Sequence, residues 1–220
     1  MSAPDIDRRP SARSVAVLAA FAAWLLAAGT VGAADATVRP RLLPLPDVRQ
    51  HTVYACGAGA LQAVLAYYGI DARQDALMAE LGTDEEIGTR WWEIVRFARE
   101  NGLEAEAREG MSADELRAEL DRGVPVLLAI QAWADPSPAD PAGWAGRTED
   151  GHYVIAVGHD TERFYFEDPA MFGVGYIPRA ELEARWHDYD EFGTRLERFG
   201  IAFRRPQGPD ALAAHLARIE

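Results

Sequence analysis

The order of apolar patterns along the chain predicts a segregated α+β fold, with helices first and strands later. Helical periodicity, with apolar residues three and four apart, recurs in four segments between Cys56 and Gly123. After them comes VPVLLAI at 124–130, a continuous apolar run of central-strand length. Two β-type runs follow, His152–Val157 and Arg163–Phe166, on either side of the turn residues GHDTE. A doubly wound fold would interleave strands with helices from the start, and no internal repeat suggests a solenoid.

The first helix is expected from Cys56, with Leu61, Val64, Leu65 and Tyr68 on one face and Gly69 as its stop. Asp71 is the expected N-cap of a second, short helix ending at Gly82. Thr89 should cap a third, RWWEIVRFARENG, which Asn101 and Gly102 terminate. Leu103–Arg108 alternates like an edge strand, and Ser112 with Glu115 has capping-box spacing for a fourth helix ending at Gly123. Residues 131–151 form a long loop rich in Pro, Asp and Gly; Trp133 and Trp144 within it argue for a function or for pinning to the body rather than for a solvated linker. The carboxylate-rich run ELEARWHDYDEF at 181–192 reads as a solvated helix face and turn, lacking the glycine-centred pattern of a calcium loop.

The N-terminus reads as a targeting segment. Arg8, Arg9 and Arg13 precede an uncharged run, Ser14–Ala34, that closes on small residues, so residues 1–34 are expected to be a signal peptide or, uncleaved, an inner-membrane anchor. Residues 35–46 hold three prolines and should form an extended linker, 47–205 the main domain, and 206–220 a short amphipathic C-terminal helix. Such a chain is expected in the periplasm or secreted, touching membrane only through its N-terminal segment if that is retained.

Composition narrows the chemistry. A formal net charge of −13 excludes nucleic acid and anionic lipid as expected partners, and 49% hydrophobic content is enough for a sizeable core. The sequence contains no lysine, which excludes Schiff-base catalysis and a phosphate loop built around lysine. A single cysteine cannot form an internal disulfide, so Cys56 is a core thiol, a reactive thiol or half of an intermolecular bridge.

Its position favours reactivity. A thiol at a helix N-terminus faces unpaired backbone N–H groups and the positive end of the helix dipole, both of which favour thiolate. The small residues that follow, Gly57 to Ala60, are expected to leave room for a substrate backbone. Six residues upstream, Gln50 offers a neutral amide that, with the Cys56 backbone N–H, can hold a developing oxyanion. Folding the hairpin about residue 160 brings His152 near Asp168 as a cross-strand or diagonal neighbour, the arrangement by which a carboxylate orients an imidazole. Singly, Asp168 before Pro169 reads as a turn residue, His152 as an edge histidine and Cys56 as a small buried hydrophobe. Jointly, with Gln50 upstream in the same chain, those readings require four coincidences. His51 and His159 make no metal-ligand spacing, and neither a metal nor a cofactor is expected.

With its Gln50, Cys56, His152, Asp168 order, and with GHYVIAVG followed by FYFEDPA, the chain resembles the papain-like double-glycine leader peptidases, family thirty-nine of the cysteine peptidases, and most of all their stand-alone bacterial relatives. The resemblance runs from about Leu45 to Phe203. It implies a papain-like fold, with N-terminal helices packed on a C-terminal antiparallel sheet, and a peptide or protein substrate. It also implies roles: Cys56 as nucleophile, His152 as general base and acid, Asp168 as its orienter and Gln50 as oxyanion donor. The sequence departs from the common pattern at Ala55, where many members carry a polar residue, and in the tryptophan-bearing loop. Two alternatives stay open: acyl transfer to an amine or thiol, as in the similar phytochelatin-synthase branch, and a catalytically silent peptide-binding or export protein on the same frame.

Overall fold

The computed structural model describes residues 40–134 and 137–206; the expected signal segment and C-terminal helix lie outside them. Helix α1 is Cys56–Tyr67, α2 Gln74–Glu80, α3 Trp91–Glu100 and α4 Ala113–Asp121, with strand β1, Glu104–Arg108, between the last two. Then come β2 (Val126–Gln131), a 3-10 turn (Pro141–Gly146), β3 (Gly151–His159), β4 (Arg163–Glu167) and β5 (Val174–Pro178). The chain continues through α5 (Arg179–Arg185), β6 (His187–Tyr189), β7 (Arg195–Glu197) and β8 (Gly200–Arg204). Six strands form one sheet in the order β1-β8-β2-β3-β4-β5, antiparallel at every pairing, and β6-β7 is a separate two-stranded ribbon.

Strand β2 lies inside the sheet and is buried along its whole length, as its unbroken apolar run requires. β1, which alternates, is an edge strand. The core joins Leu61, Val64 and Leu65 of α1 to Ile94 of α3, Leu116 of α4 and the buried residues of β2, β3 and β8. At the end of α1, the Tyr68 hydroxyl donates to Phe203 O of β8 at 2.6 Å, fixing the helix against the sheet.

The fourth helix starts as its sequence demands: Ser112 accepts from the Glu115 N–H, and Glu115 returns the bond to the Ser112 N–H. Two other expected caps fail. Helix α2 begins only at Gln74, with Arg73 at its N-cap, because residues 70–72 are spent closing α1: Ile70 N donates to Leu65 O, and Gln62 Nε2 donates to Ala72 O. Arg90, not Thr89, is the N-cap of α3. Thr89 is buried, and its hydroxyl pairs with that of Thr83 at 2.9 Å. The expected linker also differs: Leu43 is buried, and its N–H donates to Val157 O at 2.7 Å, so residues 41–43 lie along β3 instead of standing free.

The 181–192 run is only partly the solvated face expected. Glu183 is exposed, yet Arg185, Trp186 and His187 are buried. Arg185 Nε donates to Gln131 O and its guanidinium lies 4.0 Å from the Trp144 ring centre, so this segment pins the long loop to the body.

Candidate active site

Cys56 is the first residue of α1. Ala55, at the N-cap, supplies no side-chain acceptor, and no acidic residue stands in the first turn. The leading N–H groups, that of Cys56 among them, therefore have no intrahelical acceptor, and the positive helix end is not neutralised from within the helix. The thiol is half-buried on the wall of a cleft of about 410 Å³ that His152, Tyr153, Thr89, Trp91 and Asp188 also line. The small residues after it do not make room for substrate. A Cβ at Gly57 would meet Thr89 at 2.6 Å, and one at Gly59 would meet Pro169 at 3.1 Å. The protein's own strands and loops fill that space, bringing the helix start up against β3 and against the loop after β4.

His152 stands near the start of β3 and Asp168 just past the end of β4. Ile155 pairs with Glu167, so the two are diagonal rather than direct neighbours, and a register shift between Ala156 and Gly158 absorbs the tight turn. His152 Nε2 and Asp168 Oδ1 lie 2.8 Å apart, both residues buried. That contact leaves Nδ1 as the ring nitrogen for Cys56. Burial by itself lowers the pKa of an imidazolium, yet the hydrogen bonds to Asp168 and Cys56 and the charges of both raise His152 from 6.5 to about 10. The ring is favoured as a cation, with the Asp168 carboxylate on one side and the Cys56 sulfur on the other.

Asp168 makes a turn contact as well as its contact to His152. Its Oδ1 also accepts the Ala170 N–H at 2.7 Å, the mark of a turn aspartate. Its Oδ2 accepts Trp133 Nε1 at 3.1 Å. Trp133 holds φ = 64°, in the left-handed region a bulky side chain seldom adopts, so backbone strain is spent on aiming this indole. The long loop contributes to the site through this residue.

Gln50 lies on the segment leading into α1, half-buried. Its Nε2 donates to Thr52 O at 2.8 Å, a carbonyl that also accepts the Ala55 N–H at 3.3 Å. The amide thus rests on the turn that ends at Cys56, with one N–H engaged and a second left to donate. The segment is clamped on both sides. Gln74, 2% exposed, accepts the His51 N–H on Oε1 at 2.6 Å and donates through Nε2 to Arg49 O and to Gln62 Oε1, each at 3.0 Å. The Gln50 N–H itself donates to Pro169 O at 3.0 Å, which ties this segment to the loop carrying Asp168.

Two further carboxyls shape the electrostatics. Burial pushes Glu167 up to about 8, although the Val48 N–H pulls it back, and its Oε2 is buried without a partner among the described residues. Burial likewise pushes Asp188 up to about 7, against the Tyr189 N–H, the His152 charge and the Gln131 amide. Neither residue, nor Gln74, carries a local signal in the sequence: each acquires its place only when strands and loops distant along the chain meet. His51 is exposed and His159 pairs with Asp121 at 3.0 Å; among the described residues no group of three His, Cys, Asp or Glu is arranged to hold a metal.

A family model described as the Peptidase_C39 like family matches residues 42–193. No match is found among curated proteins. Among solved structures, the chain is similar to a C39-like peptidase from Bacillus anthracis, with 19% identity and a TM-score of 0.56 over 77% of this chain and 99% of that one. It is also similar to the peptidase domain of Streptococcus ComA, a bifunctional ABC transporter, with 18% identity and a TM-score of 0.54 over 72% and 97%. A double glycine motif protease from an AMS/PCAT transporter, solved with its leader peptide, matches at 20% identity and a TM-score of 0.52 over 76% and 98%. At these identities the structures speak for the shared fold, with helices in the N-terminal half and an antiparallel sheet in the C-terminal half. The matched stretch of 42–193 takes in the Cys56 helix, the long loop and the His152 hairpin alike, and on that ground the chain belongs to the Peptidase_C39 like family.

Proposed function

We propose that this protein is a cysteine peptidase that hydrolyses peptide bonds through an acyl-enzyme on Cys56. The observation that carries the reading is the placement of His152 between the Asp168 carboxylate, at 2.8 Å, and the thiol at the start of α1. In this scheme the Cys56 sulfur attacks the scissile carbonyl as a thiolate paired with the His152 imidazolium. The oxyanion that forms is met by the Cys56 N–H and by the second Nε2 hydrogen of Gln50. His152 gives its proton to the departing amine, and the tetrahedral adduct collapses to a thioester. Water then attacks the thioester with His152 as base, and the acid product leaves. Asp168 holds the ring and balances its charge throughout.

The substrate in this reading is a peptide or protein, and residues 1–34 direct the enzyme to the periplasm or beyond, or hold it at the inner membrane. The test is a peptide mixture incubated with wild type and with Cys56→Ser, the new termini read by mass spectrometry. Cleavage by wild type alone supports hydrolysis. Products joined to an added amine would assign transfer instead, and no product from either protein would leave a peptide-binding role.

A further inference from the structure

We infer that the cleft beside Cys56 accepts a substrate with a basic side chain, arginine or lysine, close to the scissile bond, and that Asp188 is the residue that reads it. The inference rests on the peptidase reading and names the substrate class for that same site. Asp188 sits on β6, inside the cleft that Cys56 and His152 line. It is a fixed group rather than a mobile surface carboxylate. Its Oδ1 accepts the Tyr189 N–H at 2.9 Å and lies 3.3 Å from Gln131 Nε2, and Gln131 is fully buried and accepts the Asp150 N–H at 3.0 Å. A Cβ at Gly151, the residue before His152, would collide with the Asp188 carboxylate, so the carboxylate fills the place of a side chain there. Among the described residues Oδ2 has no hydrogen-bond partner, and that oxygen is left to the cleft.

The one cationic group near Asp188 on this wall, the His152 imidazolium, is already hydrogen-bonded to Asp168, and among the described residues no arginine or lysine of the cleft is free to pair with Asp188. Among the described residues Arg90 is the only lysine or arginine lining the cleft, and it is engaged by Asp84 at 3.1 Å and by Glu191 at 3.5 Å. Glu85, Glu86, Glu149 and Asp190 add negative charge around the same opening. An acidic peptide would meet repulsion along this wall, and a neutral one would leave a half-buried carboxyl facing nothing. A guanidinium or ammonium beside Asp188 would satisfy Oδ2, and Tyr153, Tyr189 and Trp91 on the same wall suit its apolar stem.

The experiment uses peptidyl acyloxymethyl ketones, identical except for one residue, which is Arg, norleucine or Glu at each of the four positions before the warhead in turn. Intact-mass spectrometry of the full chain reads the rate of Cys56 modification. At one position at least, Arg should react about tenfold faster than norleucine, the discrimination of one half-buried charge pair, and Glu should react slowest. Asp188→Asn keeps the Oδ1 acceptor and should bring Arg and norleucine to within about threefold. In wild type, added sodium chloride should narrow the same ratio. Equal rates for Arg and norleucine at every position, or an Arg preference that survives both Asp188→Asn and salt, would overturn the inference. Amide substrates separate it from the peptidase reading: hydrolysis without charge preference refutes the role of Asp188 alone, whereas charge-selective labelling with no amide hydrolysis refutes the peptidase reading alone. Modification by small, uncharged iodoacetamide but by no peptidyl probe would overturn the inference too.

Discussion

Asp168→Asn isolates the part of the site on which the acid–base chemistry depends. The replacement is nearly isosteric, and its remaining carbonyl oxygen can still accept the Ala170 N–H, so the turn before Pro169 should survive. What goes is the negative charge beside His152 Nε2 and one acceptor, since an amide NH2 aimed at Trp133 Nε1 meets another donor. The rise of the His152 pKa from 6.5 to about 10 corresponds to about 5 kcal/mol in favour of the imidazolium, at about 1.4 kcal/mol per pH unit. Asp168 is one of the partners that raise it, and removing one member of a buried charged pair costs about 3 kcal/mol, a factor on the order of 100 in rate. Turnover should therefore fall by about two orders of magnitude, with KM moving far less. Steady-state kinetics between pH 6 and 10 is the assay, with circular dichroism to confirm the fold. Sign matters in the pH profile. A raised imidazolium pKa means that the ion pair's contribution is fully present below 6.5 and lost as pH rises through 10, so the variant should lose its activity at lower pH than wild type. Near-wild-type turnover in a folded Asp168→Asn would reduce Asp168 to a turn residue and refute the reasoning.

Gln50→Ala should lower kcat by between about 100- and 1,000-fold with little change in KM, because its free N–H is asked to bind charge present only in the transition state; Gln74→Met, which releases the clamp on either side of Gln50, should do the same in milder form and also lower the melting temperature. Trp133→Phe keeps an aromatic ring but not the bond to Asp168 Oδ2, and should cost about three- to tenfold in kcat by freeing the carboxylate to turn. Glu167 is held at about 8 in the fold against 4.5 as a free side chain, so the stability it contributes is present below 4.5 and lost as pH rises through 8. Glu167→Gln should therefore be a few kcal/mol more stable relative to wild type at pH 9 than at pH 5 in urea unfolding, and an equal difference at both values would contradict the burial argument.

What the sequence made legible was what is local. Cys56 at a helix start, the capping box at Ser112 and Glu115, and the buried run of β2 all depend on residues within one turn or one strand of each other. The His152 to Asp168 contact was within reach for the same reason: a hairpin makes near neighbours of residues 16 apart, and diagonal pairing was among the registers allowed. Thr89 and Asp71 were misread because capping propensity was overridden by packing against Thr83 and by the closing of α1. The glycines after Cys56 looked like space for a ligand, and only the assembled fold shows Thr89 and Pro169 occupying it. Gln74 and Asp188 were out of reach altogether. A buried glutamine that spans the two flanks of Gln50, and a carboxylate lying in the gap left by Gly151, have no pattern along the chain, since their partners lie up to 57 residues away.

The claim on which the rest depends is that Cys56 carries the acyl group. Rapid quenching in acid of wild type mixed with a slowly turned-over peptidyl ester, followed by intact-mass and peptide mapping, tests it directly. The account predicts a burst of the alcohol product matched by a mass gain equal to the acyl group, located on Cys56 and absent from Cys56→Ser. Turnover of the ester with no acyl adduct at Cys56, or undiminished turnover in Cys56→Ser, would contradict it.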